Sequence, residues 1–213
     1  MLKELKNLIE TIVNSWPIND EIYPELEGKR LGCRNLFATE HIQLHLYGTM
    51  GKIALTIEPK DHAGGVANNF QLTRLIAKSF TEVLRMAEVN GFDASALILG
   101  EDLQGTMDFW REKAPITTEI YYALKNVEQD RLRHKEFLIA FNRARQAMGD
   151  LDRILEMRYV TNGIAWFNAK QPILNIFIAI LRMADIHGYT AQTLIEASCE
   201  KVYLSKKKAT RQD

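Results

Sequence analysis

His41 and His45 stand four residues apart, the step that puts two imidazoles on one face of a helix, with Glu40 beside them. Such a pair can share a transition metal if a third ligand folds back onto it, and His62 in the following loop is the nearest candidate. Nothing in the spacing fixes a third or fourth ligand, so no metal site is assigned. Asp150, Asp152 and Glu156 form an acidic cluster in which the last two are again four apart. A catalytic centre, if the chain has one, belongs there, although Arg153 interrupts the face and a solvated helix surface accounts for the same residues. Trp110, and Trp166 with Phe167, lie near expected helix ends or in loops, where aromatic rings stack on a base or bury at an interface. The carboxyl-terminal SKKKATRQD is a short basic tail. The chain has no P-loop, no GxGxxG after a strand, no GxSxG elbow and no HExxH helix.

The elements that must position these residues read as helices throughout. Leu2, Leu5, Leu8, Ile9, Ile12 and Val13 repeat at steps of three and four, a helix that must stop near Pro17. The segment PINDEIYPELEGKRLGCRN, with two prolines and two glycines, reads as an irregular connection. Helix is expected again over 37–57 and 70–89, the latter closed by Asn90-Gly91, then as a short helix capped by Asp93 and another ending at Pro115. From Thr117 a long helical stretch reaches about 160, with a bend or break expected near QDRLRHK. After the loop TNGIAWFNAKQP come two more helices, the last carrying lysines in its final turn, where they suit the negative end of the helix dipole. The expectation is an all-α protein.

Composition narrows the function classes. The 213 residues are 46% hydrophobic, and 27 Lys and Arg balance 27 Asp and Glu, so no chain-wide basic field attracts a nucleic-acid backbone. No apolar run approaches the roughly 20 residues that span a bilayer, and the amino terminus lacks a signal peptide's basic-then-apolar order, which gives a cytoplasmic expectation. Cys33 and Cys199 lack CxxC spacing and read as two reduced thiols.

The halves of the chain resemble each other. LRMAEVNGFDASALILGE at 84–101 lies 97 positions before LRMADIHGYTAQTLIEAS at 181–198, matching helix end, turn and following helix. IQLHLYGTMGKIALTI at 42–57 falls opposite IAFNRARQAMGDLDRI at 139–154, with a one-residue slip between Gly51 and Gly149. Two copies of one helical unit are expected, 1–115 and 116–213, packed as one body.

These segments resemble the all-α nucleoside triphosphate pyrophosphohydrolases of the MazG type, whose helices read roughly LxLHLxEExGELAEAI and EELADVLIYLLRLAExxGID before a lysine-rich close. Here IQLHLYGTMGKIALTI, AKSFTEVLRMAEVNGFD and EKVYLSKKK carry the similarity, over about 36–101 and again 136–209. The resemblance implies two units arranged as a pseudo-dimeric helical bundle. In that family four acids on two helices hold Mg²⁺ against a triphosphate and activate water. The matching positions are Gly48, Thr49, Lys52, Leu75 and Lys78 in the first half, and Gln146, Ala147, Asp150, Pro172 and Asn175 in the second, so only Asp150 keeps a carboxylate.

This departure leads to a non-catalytic expectation. Lys52 and Lys78 put positive charge where metal ligands would stand, and the family's basic close carries Lys201, Lys206 and Lys208 to the nucleotide phosphates. The expected ligand is a nucleotide or another phosphate-bearing small molecule held without metal; a protein partner and homo-oligomers are also open. The rival is an Mg²⁺-dependent pyrophosphohydrolase using Asp150, Asp152 and Glu156 with acids from elsewhere, such as Glu82, Glu119 or Glu128. A third alternative is protein interaction alone, through exposed Trp110, Trp166 and Phe167.

Overall fold

The computed structural model describes residues 2–29, 31–61, 67–99, 102–116, 129–160 and 169–209. Seven α-helices account for most of them: α1 (Leu2–Ser15), α2 (Leu31–Ile57), α3 (Asn69–Val89), α4 (Leu103–Lys113), α5 (Gln129–Val160), α6 (Lys170–Ile186) and α7 (Ala191–Ala209). Short 3₁₀ turns follow α2 and α3, and no strand occurs among the described residues. The fold is an all-α bundle, and no helix in it is long and apolar enough to cross a membrane.

The helix boundaries have local causes. Asn68 accepts a hydrogen bond from the Gln71 amide at the start of α3, and Asp102 accepts from Gln104 and Gly105 at the start of α4, satisfying donors that a helix start leaves unpaired. The two LRMA segments end alike. Gly91 (φ +73°) and Gly188 (φ +93°) adopt the left-handed conformation that glycine tolerates, and Phe92 and Tyr189 donate back to Ala87 and Ala184.

Two boundaries differ from the sequence reading. α2 begins at Leu31, six residues before the expected start, because Leu36, Phe37 and Ala38 already pack inward and carry the preceding turn with them. Asp93 opens only a 3₁₀ turn, and the helix proper starts ten residues on at Leu103, where Asp102 supplies the cap. From Gln129 to Val160 α5 is one continuous helix, so the bend or break expected near QDRLRHK does not fall within it; residues 117–128, where the expected helix began, lie outside the described residues.

The helices pack in pairs. α2 lies along α3 and α5 along α6, while α3 and α6 meet at the centre, where Phe80 and Phe177 place their ring centroids 6.0 Å apart. α7 crosses α3 and α1, and α4 lies against α6 and α7. One cluster of buried apolar side chains runs from Leu5 to Val202 through all seven helices. Side chains such as Phe80 and Phe177 are each worth about 1.5–3 kcal/mol by burial. α3, one of the two central helices, carries Lys78, Thr81, Glu82 and Arg85 along one stripe.

Candidate functional site

That stripe forms the wall of a cavity of about 300 Å³ between α1, α2, α3 and α7. Trp16, Ile22 and Tyr23 close it from the connection after α1, His41, Ile42 and His45 from α2, and Lys201 from α7. Pro17 ends α1 there and lets the chain turn, so that residues 16–23 lie over the stripe rather than continuing away from it.

The polar groups form two connected sets. Lys78 Nζ donates to Glu82 Oε1 at 2.9 Å and to Thr49 Oγ1 at 2.7 Å, and Thr49 also lies 3.3 Å from Glu82 Oε1. Burial pushes the Glu82 carboxyl above the ordinary range, while Lys78, Thr49 and the charge of Lys201 oppose that shift. One turn on, Arg85 donates to the Trp16 carbonyl and packs beside Tyr23. On the opposite wall the Tyr23 hydroxyl lies 2.9 Å from His41 Nε2, which lies 3.2 Å from His45 Nε2. Burial, reinforced by nearby cations, pushes both imidazoles down. Three strong cations, Lys78, Arg85 and Lys201, thus share the cavity with one carboxylate, Glu82.

The expected site residues are distributed unevenly. Lys78 and Lys201 line the cavity. Lys52 is exposed and lines none of it, because it falls on the solvent face of α2 with Gly48, Gly51 and Leu55, whereas Thr49 and Ile53 face inward. The side chains of Lys206 and Lys208 lie outside the description, as do Glu119, Glu128, His62, Trp166 and Phe167. His41 and His45 meet as their spacing suggests, but no group of three metal-ligating side chains occurs among the described residues.

The acidic cluster is divided between two faces of α5. Asp150 pairs with Arg153 at 2.6 Å and lines a depression of about 340 Å³ under α4 with Trp110, Arg143, Gln146, Asn175 and Arg182. Asp152 and Glu156 line a different hollow against α2, where Asp152 accepts hydrogen bonds from Gln43 and Tyr47. Burial, then the Asp152 carboxylate, pushes the Tyr47 hydroxyl up to about 12. Residues two apart on a helix point to nearly opposite sides, so the three acids do not converge. Trp110 is half-buried against the core rather than exposed.

Sequence reasoning missed Arg85, Trp16 and Tyr23. The first left a signal: Lys78, Glu82 and Arg85 at steps of four and three put three charges on one side of a helix among the apolar residues Leu75, Ile76, Phe80, Val83 and Leu84.

Comparison with protein-family models, with curated proteins and with solved structures finds no match to this chain.

Proposed function

We propose that the protein binds a nucleotide or another phosphate-bearing small molecule, without hydrolysing it, in the cavity walled by α3. The observation that carries this reading is the convergence of Lys78, Arg85 and Lys201 around the single carboxylate Glu82, beside the rings of Trp16 and Tyr23. Cationic donors suit phosphate oxygens and the rings suit a base or sugar face. The volume, about 300 Å³, lies at the small end of ligand pockets, which favours something of mononucleotide size or less. Two-metal hydrolysis of a triphosphate needs several carboxylates, and Glu82 is already tied to Lys78.

The MazG resemblance and the two-unit, pseudo-dimeric arrangement belong to the same reading. They are supported by the matching glycine caps after the two LRMA segments. They are supported also by the depression under α4, where Asn175, Ile178, Ala179 and Arg182 stand 97 positions after Lys78, Thr81, Glu82 and Arg85 of the cavity.

The test is a thermal-shift screen against nucleoside mono-, di- and triphosphates, cyclic nucleotides and sugar phosphates, each with Mg²⁺ and with EDTA, since a ligand selective for the folded state raises the melting temperature. Stabilisation that survives EDTA and disappears in Lys78→Glu is the expected result. Stabilisation only with Mg²⁺, accompanied by turnover that Asp150→Ala abolishes, returns the hydrolase. A protein-interaction role is favoured separately by Leu44, Tyr47 and Leu55, large apolar side chains exposed along one helix, α2. A flat nucleotide screen together with a mass above one chain in solution would select it.

A further inference from the structure

Two residues that line the cavity, Glu82 and Arg85, each bury a polar atom, of opposite sense, that has no hydrogen-bond partner among the described residues. Glu82 is buried, and while Oε1 takes up Lys78 and Thr49, Oε2 has no hydrogen-bond partner. Arg85, one turn along the same helix, uses its terminal nitrogen on the Trp16 carbonyl and leaves Nε without a partner. Buried donors and acceptors are nearly always satisfied, and an orphaned charged oxygen is among the costliest exceptions.

A bare polyanion answers only half of this arrangement. It suits Arg85, Lys78 and Lys201, but it brings no donor to Glu82 and sets negative charge against that carboxylate. A ligand that joins an anionic group to a hydroxyl or amino donor answers both. We infer that Glu82 is the specificity-determining residue of this cavity and selects a small phosphate ester carrying a hydroxyl or amino donor, of the sugar-phosphate or mononucleotide kind, over an otherwise similar phosphate without one. This rests on the phosphate-binding reading above. The ester's phosphate occupies the side of Arg85 and Lys201, and its donor reaches the Glu82 carboxylate as that side chain turns Oε2 toward the cavity, with Oε1 kept on Lys78. Glu82 therefore costs affinity toward simple phosphates and supplies affinity toward hydroxylated ones.

Two probes matched in size isolate the effect: glycerol 3-phosphate and propyl phosphate, which differ in their hydroxyls. Isothermal titration of the full chain in EDTA is expected to show glycerol 3-phosphate bound about 10-fold more tightly, the usual worth of a hydrogen bond to a charged group. In Glu82→Gln, which keeps the side chain's shape, the ratio should fall below about 3-fold. Propyl phosphate should bind more tightly than to the wild type, because Lys78 is no longer neutralised. Equal binding of the two probes to the wild type overturns the inference. If Lys201→Met abolishes both in that case, the phosphate site survives and only the selectivity fails. Absence of binding by wild type and Glu82→Gln alike removes the site and the inference together. A ratio unchanged in Glu82→Gln assigns the selectivity to another residue and overturns the role given to Glu82.

Discussion

The cavity under the end of α1 and the depression under α4 are built on stretches of α3 and α6 that align at an offset of 97 residues, and they differ in one respect above others. In the first, Lys78 and Glu82 form an ion pair deep in the wall; in the second, the corresponding positions hold Asn175 and Ala179. An arginine stands one turn further on in both, with different employment. Arg85 reaches the backbone at Trp16, whereas Arg182 pairs with Asp185, which Arg111 of α4 also holds. The comparison separates two uses of buried charge. Around Arg182 the charges are spent on fastening α4 to α6, while around Arg85 and Lys78 they line an accessible space, and buried ion pairs are weak evidence of stabilisation by themselves.

The largest effect should come from breaking the pair on one side only. Lys78→Met leaves Glu82 buried without its cation and is expected to cost about 3 kcal/mol in denaturant unfolding, the low end for such disruptions. The low end applies because Lys78 keeps 27% of its side-chain surface exposed against 10% for Glu82. Replacing both, Lys78→Met with Glu82→Leu, should return stability to within about 1 kcal/mol of wild type. A double variant as unstable as the single one would show that the pair holds the fold and is not spare.

A smaller effect follows from pH. Because burial raises the Glu82 carboxyl in the folded state, the folded protein holds that proton more firmly than the unfolded chain, and this contribution is lost as pH rises from about 4.5 through the folded value. Glu82→Gln has no proton to lose, so its melting temperature should gain on wild type over that window and match it near pH 4. A difference that stays constant across pH 4 to 8 would place the cost of Glu82 in packing.

The smallest effect belongs to the other region. Asn175 is exposed and, among the described residues, bonded to Gln171 alone, so Asn175→Ala should change stability by no more than about 0.5 kcal/mol and leave binding of any phosphate probe unaltered. Loss of binding in that variant would mean that the depression under α4, and not the cavity under α1, holds the ligand.

The fold was largely legible in the sequence because its signals are local: apolar periodicity, Pro17 as a stop, and Asn90-Gly91 as a left-handed cap. Where reading erred, at the start of α2 and after Asp93, tertiary packing decided how far a helix extended, and no local residue announces that. The site was legible only in part. Lys78 and Lys201 came from a resemblance, and Lys52 was grouped with them although it stands on the exposed side of α2, about 60° round the helix from the inward-facing Thr49. Trp16 and Tyr23 were unreadable because they reach the cavity through an irregular connection whose path no periodicity encodes.

The cavity draws one wall from residues 15–23 and another from Lys201, near opposite ends of the described chain. During synthesis the amino-terminal wall therefore waits, open, until α7 has emerged and docked across α1 and α3. A phosphate held there as proposed would need α7 already docked, so its binding would report that the cavity's last wall is in place.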